Sequence, residues 1–561
     1  NGDVAVVVAV VSGPRKSDAS PSRTGRRCRP RVVTTPTMAM TTRSKPDVPR
    51  FYLTTAIDYA NGDPHLGHAL EKIGADVIAR YRRQCGDEVH LLIGMDEHGQ
   101  KVQQTAAKDD VAPQAFTDGI AARFQDIWAR LGISYDQFIR TTESHHKAGV
   151  QALIRMIAAR NPDDFYERSY TGMYCVGCEA FKQDTDIVDG KCVLHTTRTL
   201  EEVEERNWFF RLSKYQGFLQ KLLATNPSFI EPESRRNEIL GLLAQGLEDI
   251  SASRARLDWA VPFPLVLSNG ETQGTYVWFD ALPNYLTATG FPDAGYEQRW
   301  PADLHIIGKD ITRFHVVIWP AMLEAAGLPL PKQVWAHGFV QLGGERFSKS
   351  AGVKLDLSEA IDRYGADPFR YVLLREVPFD SDGNFSWERF EERYTSDLAN
   401  AFGNLASRAI AMVEKYFDGV VPTASRPDAE FDDDTDVAAY HAGMNGSRGW
   451  LLHEGLAAVS RMTARANEYT AATTPWAVAK DPARAAELEQ ILASLIRRIA
   501  RQTVLLAPFM PTKVEAVWAQ LGAPGTAGAQ RIDALAELEP AGWRVQKGEG
   551  VFPRPAPVAT T

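Results

Sequence analysis

Cysteine is scarce, at five residues in a chain of 561. That excludes a fold stapled by disulfides, and the few thiols fit a reducing cytosol. No run of about 20 apolar residues occurs, so no transmembrane helix and no membrane partner are expected. An excess of basic charge is missing too: 62 Lys and Arg stand against 71 Asp and Glu, a formal net charge of −9. A uniformly basic nucleic-acid binder is thereby ruled out, although a local basic strip would suffice for phosphate contacts. The length allows several domains, each burying its own core.

The first 49 residues differ from the rest. They carry nine Arg and Lys against three Asp, with Ser, Thr and Pro throughout and one short apolar run at 4–11. That run precedes the basic cluster, the reverse of a secretory signal. An acid-poor, Arg- and Ser-containing leader suits an organellar transit peptide. Yet the chain opens on Asn1, and Met38 and Met40 stand just ahead of the ordered pattern. A disordered or misassigned basic extension, with a start near Met38 or Met40, is expected.

The chain is organised around residues 54–68, Thr-Thr-Ala-Ile-Asp-Tyr-Ala-Asn-Gly-Asp-Pro-His-Leu-Gly-His. A β-prone run precedes it, and Leu66, Ala69, Leu70, Ile73, Val77, Ile78 and Tyr81 follow at helical spacing. His65 and His68 therefore stand at a helix entry, where free N–H groups and the helix dipole suit phosphate. Gly67 removes a side chain where a base or ribose could lie close. The pattern is short, and a plain strand–helix turn with two incidental histidines would explain it as well. Residues 89–93 read as the second strand, ending in Gly94-Met95-Asp96. A carboxylate there faces a ligand crevice and can take a substrate ammonium, or merely cap the next helix.

Further along, Cys175, Cys178, Cys192 and His195 have the spacing C-x2-C-x13-C-x2-H. Three thiolates and an imidazole on two short knuckles suit one tetrahedral Zn2+, and four protein ligands make such a site structural. Trp278, Ala281 and Tyr285 recur at helix-like offsets, as an aromatic wall with one hydroxyl or as ordinary core. Ile311, His315 and Trp319 recur every four residues on one helix face. Residues 343–352, Gly-Gly-Glu-Arg-Phe-Ser-Lys-Ser-Ala-Gly, read as a glycine-flanked loop. Asn404 and Arg408 are four apart and share a face. Pro475-Trp476 opens another helix. On spacing alone Asn404, Arg408 and Trp476 are surface and core residues. The acidic stretch 428–436 is expected to be a solvated connection.

The motif His65-Leu66-Gly67-His68 resembles the HIGH motif of class I aminoacyl-tRNA synthetases, and residues 346–350 resemble their KMSKS loop. Order and separation match as well. Ala56-Ile57-Asp58-Tyr59-Ala60-Asn61-Gly62, Gly94-Met95-Asp96-Glu97-His98-Gly99-Gln100-Lys101, Tyr276-Val277-Trp278-Phe279-Asp280-Ala281 and Ile307-Gly308-Lys309-Asp310-Ile311 look like signatures of the methionyl-tRNA synthetases within that class. The resemblance runs from about Arg50 to Pro553.

It implies an α/β fold: a class I Rossmann-type catalytic domain, split by a zinc-knuckle connective insertion and followed by a C-terminal α-helical anticodon-binding bundle. The expected divisions are 1–49 for the extension, 50–163 and 244–345 for the two Rossmann halves, and 164–243 for the insertion. Residues 346–397 would hold the lysine loop and a stem-contact segment, and 398–561 the bundle and tail. No appended dimerisation domain is expected, which favours a monomer. The implied activity is cytoplasmic, ATP-dependent ligation of L-methionine to tRNA(Met) through methionyl-adenylate, with Mg2+ accompanying ATP. In that scheme His65, His68, Lys349 and Arg346 would be catalytic, and Gly67, Ser348, His65, His68 and Lys349 would bind ATP. Ala56, Ile57, Tyr59, Asp96, Trp278, Ala281, Tyr285, Ile311 and His315 would line the methionine pocket. Asn404, Arg408 and Trp476 would read the anticodon. Asp58 and Leu282 stand where prolines are common in relatives.

Leucyl, isoleucyl and valyl enzymes insert a large editing domain, for which this chain has no room. Cysteinyl enzymes use zinc to grip the substrate thiol, whereas the metal ligands here cluster in one local knuckle. A non-catalytic tRNA-binding paralogue would have no need of His65, His68 and Lys349.

Overall fold

The computed structural model describes residues 48–175, 180–182, 186–193, 195–255, 257–342, 345–346, 357–423 and 433–553. Among them, seven strands form one sheet: β1 (Arg50–Thr55), β2 (Asp58–Tyr59), β3 (Glu88–Asp96), β4 (Gln137–Arg140), β5 (Ile230–Glu231), β6 (Leu304–Gly308) and β7 (Val334–His337). Every pairing in it is parallel. Parallel strands are buried on both faces, which fits the apolar β1 and β3 sequences. Alternate residues serve opposite layers: Leu53, Leu91 and Ile93 join one core, and Tyr52, Leu92 and Ile139 join the other.

The order is β5-β7-β6-β1-β3, with β4 on the far side of β3. Leu53 pairs with Leu304 of β6 on one side and Leu91 of β3 on the other. Past Thr55 the chain leaves β3 at Ala56 and Ile57, then resumes pairing as β2, with Asp58 beside Met95 and Tyr59 beside Asp96. The first half of the sheet grows from β1 towards β4, and the second half lays β6 on the other edge of β1. The carboxyl ends of β1 and β6 thus flank a topological switch point, where open α/β sheets bind ligands.

Helix α1 (Leu66–Gln84) follows β2 and is buried along nearly all its length. A long antiparallel pair, Phe165–Cys175 with Glu201–Phe210, projects an additional four-stranded sheet. The chain is back in the parallel sheet at Ile230–Glu231, which pairs with Val334 and Trp335 inside the range 164–243.

Helices Asn404–Phe417, Asp433–Met444, Leu452–Thr473, Ala485–Leu506 and Lys513–Gln520 form the C-terminal bundle. The bundle is locked to α1 by Arg370, which is fully buried in the helix Ala366–Glu376. Its guanidinium donates to Asp76 of α1 at 2.6 Å, to the Phe509 carbonyl at 2.9 Å and to the Pro508 carbonyl at 2.8 Å. Burial pushes the Asp76 carboxyl up, but the Arg370 and Arg80 guanidiniums outweigh it and hold it at about 2.

The acidic stretch is not wholly a solvated connection. Asp433 and Asp436 lie in the first turn of a helix and are buried. Asp433 meets Arg498 at 2.6 Å, and Asp436 meets Arg461 at 2.8 Å and also Arg465. Carboxylates suit a helix start, and the arginines come from two helices distant in sequence, so no local pattern announces the pairing.

Candidate active site

His65 caps α1, and its fold-back conformation is set locally. The Gly67 N–H donates to His65 Nδ1 at 3.2 Å, and the His65 N–H donates to His68 Nδ1 at 3.2 Å. The two rings stack with centroids 3.6 Å apart. Because each Nδ1 accepts, each neutral ring carries its proton on Nε2, giving two donors at a helix start. A Cβ at position 67 would stand 3.1 Å from His65 Cε1. The absent side chain at Gly67 therefore makes room for the histidine's own ring.

Ala56, Ile57, Trp278 and Ile311 are half-buried against a core that includes Tyr285. Trp278 and Ala281 belong to the short helix Val277–Ala281, and Tyr285 to the next, Asn284–Thr287. His315 lies in a π-helical turn, Phe314–Ile318, which widens the spacing of four read from sequence. His315 Nδ1 donates to the Ile311 carbonyl at 3.0 Å, so Nε2 accepts from the Tyr285 hydroxyl at 2.7 Å. Burial lowers the His315 pKa to about 4, which keeps the ring neutral at physiological pH. Burial likewise raises the Tyr285 phenol well above its ordinary value. Phe314 lies flat on Trp278, with centroids 3.7 Å apart and planes 5° from parallel. Sequence reading missed that ring, because the turn breaks the helical period that would have paired it.

Asp96 ends β3, and Tyr59 pairs beside it. The residues around them are tightly held. His98 Nδ1 lies 2.6 Å from Asp280 Oδ2, and His146 Nε2 lies 2.9 Å from Asp280 Oδ1, all three buried. Burial pushes the Asp280 carboxyl up, but His98 and His146 outweigh it and leave it at about 2. Asp280 therefore ties the helix bearing Trp278 and Ala281 to the segment after Asp96. The pairing was invisible in sequence, because its members lie far apart along the chain.

Ser348 and Lys349 lie outside the described residues, as does the side chain of Arg346. The backbone of Glu345–Arg346 forms a hairpin with Val340–Leu342, and that strand runs beside Gly383–Phe385. Cys178 and the His195 side chain are also outside the described residues. Cys175 and Cys192 are buried. Cys175 pairs with Ala180, and Cys192 with His195, in antiparallel register. Among the described residues no group of three or more His, Cys, Asp or Glu is placed to hold a metal ion. No helix among them is long and apolar enough to cross a membrane.

In the bundle, Asn404 and Arg408 are both exposed on one helix face. Trp476 sits in the short helix Pro475–Val478 and is 41% exposed, with the Arg408 guanidinium 5.3 Å from its ring centroid.

A parallel sheet with a histidine-capped helix entry beside its switch point defines a nucleotide-binding α/β enzyme. The family model for "tRNA synthetases class I (M)" matches residues 51–199 and 182–410. The chain is 42% identical over 513 residues to a methionine–tRNA ligase of Caldanaerobacter subterraneus subsp. tengcongensis, covering 90% of this chain and 78% of that one. It is 40% identical over 538 residues to the methionine–tRNA ligase of Streptomyces coelicolor, covering 92% of this chain and 99% of the relative. Among solved structures it is similar to Mycobacterium tuberculosis methionyl-tRNA synthetase in complex with methionyl-adenylate. That similarity has a TM-score of 0.84 and 38% identity, covering 90% of this chain and 100% of that chain. The chain belongs to the class I methionyl-tRNA synthetases.

Proposed function

We infer that the protein is an enzyme that ligates L-methionine to tRNA(Met) at the expense of ATP. The observation that carries this reading is the buried, mutually bonded Tyr285–His315 pair among Ala56, Ile57, Trp278 and Ile311, in a sheet whose helix α1 opens on the His65–His68 cap. In the first step a methionine carboxylate oxygen attacks the α-phosphorus of ATP, and the bond to pyrophosphate breaks. In the second, a terminal ribose hydroxyl of the tRNA attacks the adenylate carbonyl, AMP leaves, and an ester remains; class I likeness favours the 2′-hydroxyl.

The chain's part is positioning and charge stabilisation. His65 and His68 donate Nε2–H to phosphate oxygens, and Gly67 and Ser348 complete the ATP site. Lys349, assisted by Arg346, stabilises charge that develops on the phosphates. Mg2+ bound with ATP supplies further neutralisation. Asp96 accepts from the methionine ammonium. Ala56, Ile57, Tyr59, Trp278, Ala281, Tyr285, Ile311 and His315 enclose the side chain. A pocket with neutral His315 and Tyr285 suits a polarisable thioether and penalises a charged side chain, which would lose its hydration without an ionic partner.

Two finer assignments belong to the same reading. One structural Zn2+ is held by Cys175, Cys178, Cys192 and His195 in the connective segment. The antiparallel pairing of Cys175 with Ala180 and of Cys192 with His195 supports this, and elemental analysis should find about one zinc per chain. A chain with full activity and no bound zinc would contradict it. Asn404, Arg408 and Trp476 read the anticodon, supported by their shared exposure and the guanidinium over the indole. The cysteine usage favours the cytoplasm. Methionine-dependent exchange of pyrophosphate into ATP tests the reading as a whole, and charging of tRNA(Met) tests its second step.

A further inference from the structure

Asp58, in the short strand β2, is not part of a loosened turn. It is buried, and its Oδ1 lies 3.0 Å from Nζ of Lys72. Lys72 is itself fully buried in α1, and its ammonium has three partners. They are Asp58 Oδ1, Glu71 Oε1 at 2.7 Å and the Ala56 carbonyl at 2.8 Å. Three hydrogens thus meet three acceptors. Glu71 Oε2 continues to His337 Nε2 at 3.2 Å, at the end of β7. Desolvation pushes the Asp58 carboxyl up to about 7, against the pull of Lys72 and with a further push from Glu71.

The backbone explains the need for Lys72. Between β1 and β2 the chain has left β3, so the Ala56 carbonyl has no partner from that strand. The carbonyl accepts instead from two side chains, the Thr55 hydroxyl at 3.0 Å and the Lys72 ammonium at 2.8 Å, and only Lys72 ties it to α1. The Ala56 N–H donates to the Ile306 carbonyl at 3.0 Å, so the residue is gripped from both sides. Stability alone does not account for the network. Buried ion pairs are often replaceable by apolar groups without loss, because desolvation offsets their attraction.

We propose that Lys72, set by Asp58 and Glu71, is a positioning residue for methionine activation. Its ammonium fixes the Ala56–Ile57 backbone against α1, and so keeps the methionine pocket in register with the helix start at His65. This inference rests on the methionine-activating reading above.

The test compares Lys72→Met, Lys72→Arg and the double variant Lys72→Met/Asp58→Asn in the full chain. Pyrophosphate exchange is measured per active site, alongside melting temperature. Lys72→Met is expected to raise the methionine KM about tenfold, equivalent to about 1.4 kcal/mol, and to slow adenylate formation, with ATP KM little changed. Lys72→Arg, which keeps a donor in reach, should recover part of that loss. The double variant removes the charge that Lys72→Met would leave unpaired at position 58 and leaves Glu71 only His337 as a partner, so its melting temperature should recover part of the loss. Its methionine KM should stay high, because the Ala56 carbonyl, left with the Thr55 hydroxyl alone, is no longer tied to α1. A parent-like methionine KM in Lys72→Met, or recovery of KM together with melting temperature in the double variant, would overturn the proposal. Loss of folding in Lys72→Met leaves the decision to the other two variants. An unaltered chain without methionine-dependent exchange would instead defeat the underlying functional reading.

Discussion

In the crevice, Tyr285 and His315 are buried and bonded to each other, and Ala56 is gripped through Lys72. In the bundle, Trp476 is 41% exposed, and Asn404 and Arg408 stand on the open face of a helix. Similar pairs, an aromatic ring with a nitrogen-bearing side chain beside it, are buried in one region and exposed in the other. A small substrate that must react needs groups fixed before it arrives, because misplacement costs rate directly. On the proposed anticodon role, an RNA base would reach the Trp476 ring from solvent, so that ring has to remain open until the tRNA docks. Damage to the crevice should therefore appear in activation itself, and damage to the bundle face only when tRNA is present.

The largest expected effect is on the crevice side. Lys349→Ala should lower kcat for adenylate formation about 100- to 1,000-fold, the range for loss of one transition-state donor, with the methionine KM nearly unchanged. A large KM rise at constant kcat would place Lys349 in ground-state binding. Next comes the bundle face. Trp476→Ala should cost about 10- to 100-fold in kcat/KM for tRNA, from roughly 1–3 kcal/mol of lost stacking. Pyrophosphate exchange and melting temperature should be unaffected. A sharp fall in melting temperature with normal charging by the folded fraction would make Trp476 structural and erase the contrast.

A smaller effect sharpens the contrast through pH. The folded pKa of His315, about 4, lies below its ordinary value near 6.5. The unfolded chain therefore takes up the proton first. This contribution to stability is complete above about pH 6.5 and drains as pH falls towards 4. His315→Gln should lose less melting temperature than the parent across that window, by a few degrees, and equal slopes would contradict a neutral buried imidazole. Smallest of all, Arg346→Lys should be mild, since it keeps the positive charge and loses only guanidinium geometry. A collapse of activity would show that the fork is required.

Local patterns were legible in advance, and distant partners were not. The entry at His65 and His68 was readable because glycine, proline and asparagine punctuate it and apolar residues then follow a helical period. Asp96 and the shared face of Asn404 and Arg408 followed from strand ends and helix spacing in the same way. The Lys72–Asp58 contact, the Phe314–Trp278 stack and the buried Asp433–Arg498 pair depend on how elements approach one another. One signal was present: Glu71 and Lys72 stand beside Leu70 and Ile73 in the apolar stripe of α1. Charges there must find counter-charges. Trp476 shows the opposite limit, since spacing alone could not separate a core indole from an exposed one.

The most direct test of the functional reading is pyrophosphate exchange into ATP with each of the 20 amino acids supplied singly to the full chain. The expected result is strong exchange with methionine alone, unchanged by Trp476→Ala and strongly reduced by Lys349→Ala. Exchange with a different amino acid, or none with methionine, would contradict the account of a neutral thioether pocket facing a phosphate-binding helix start.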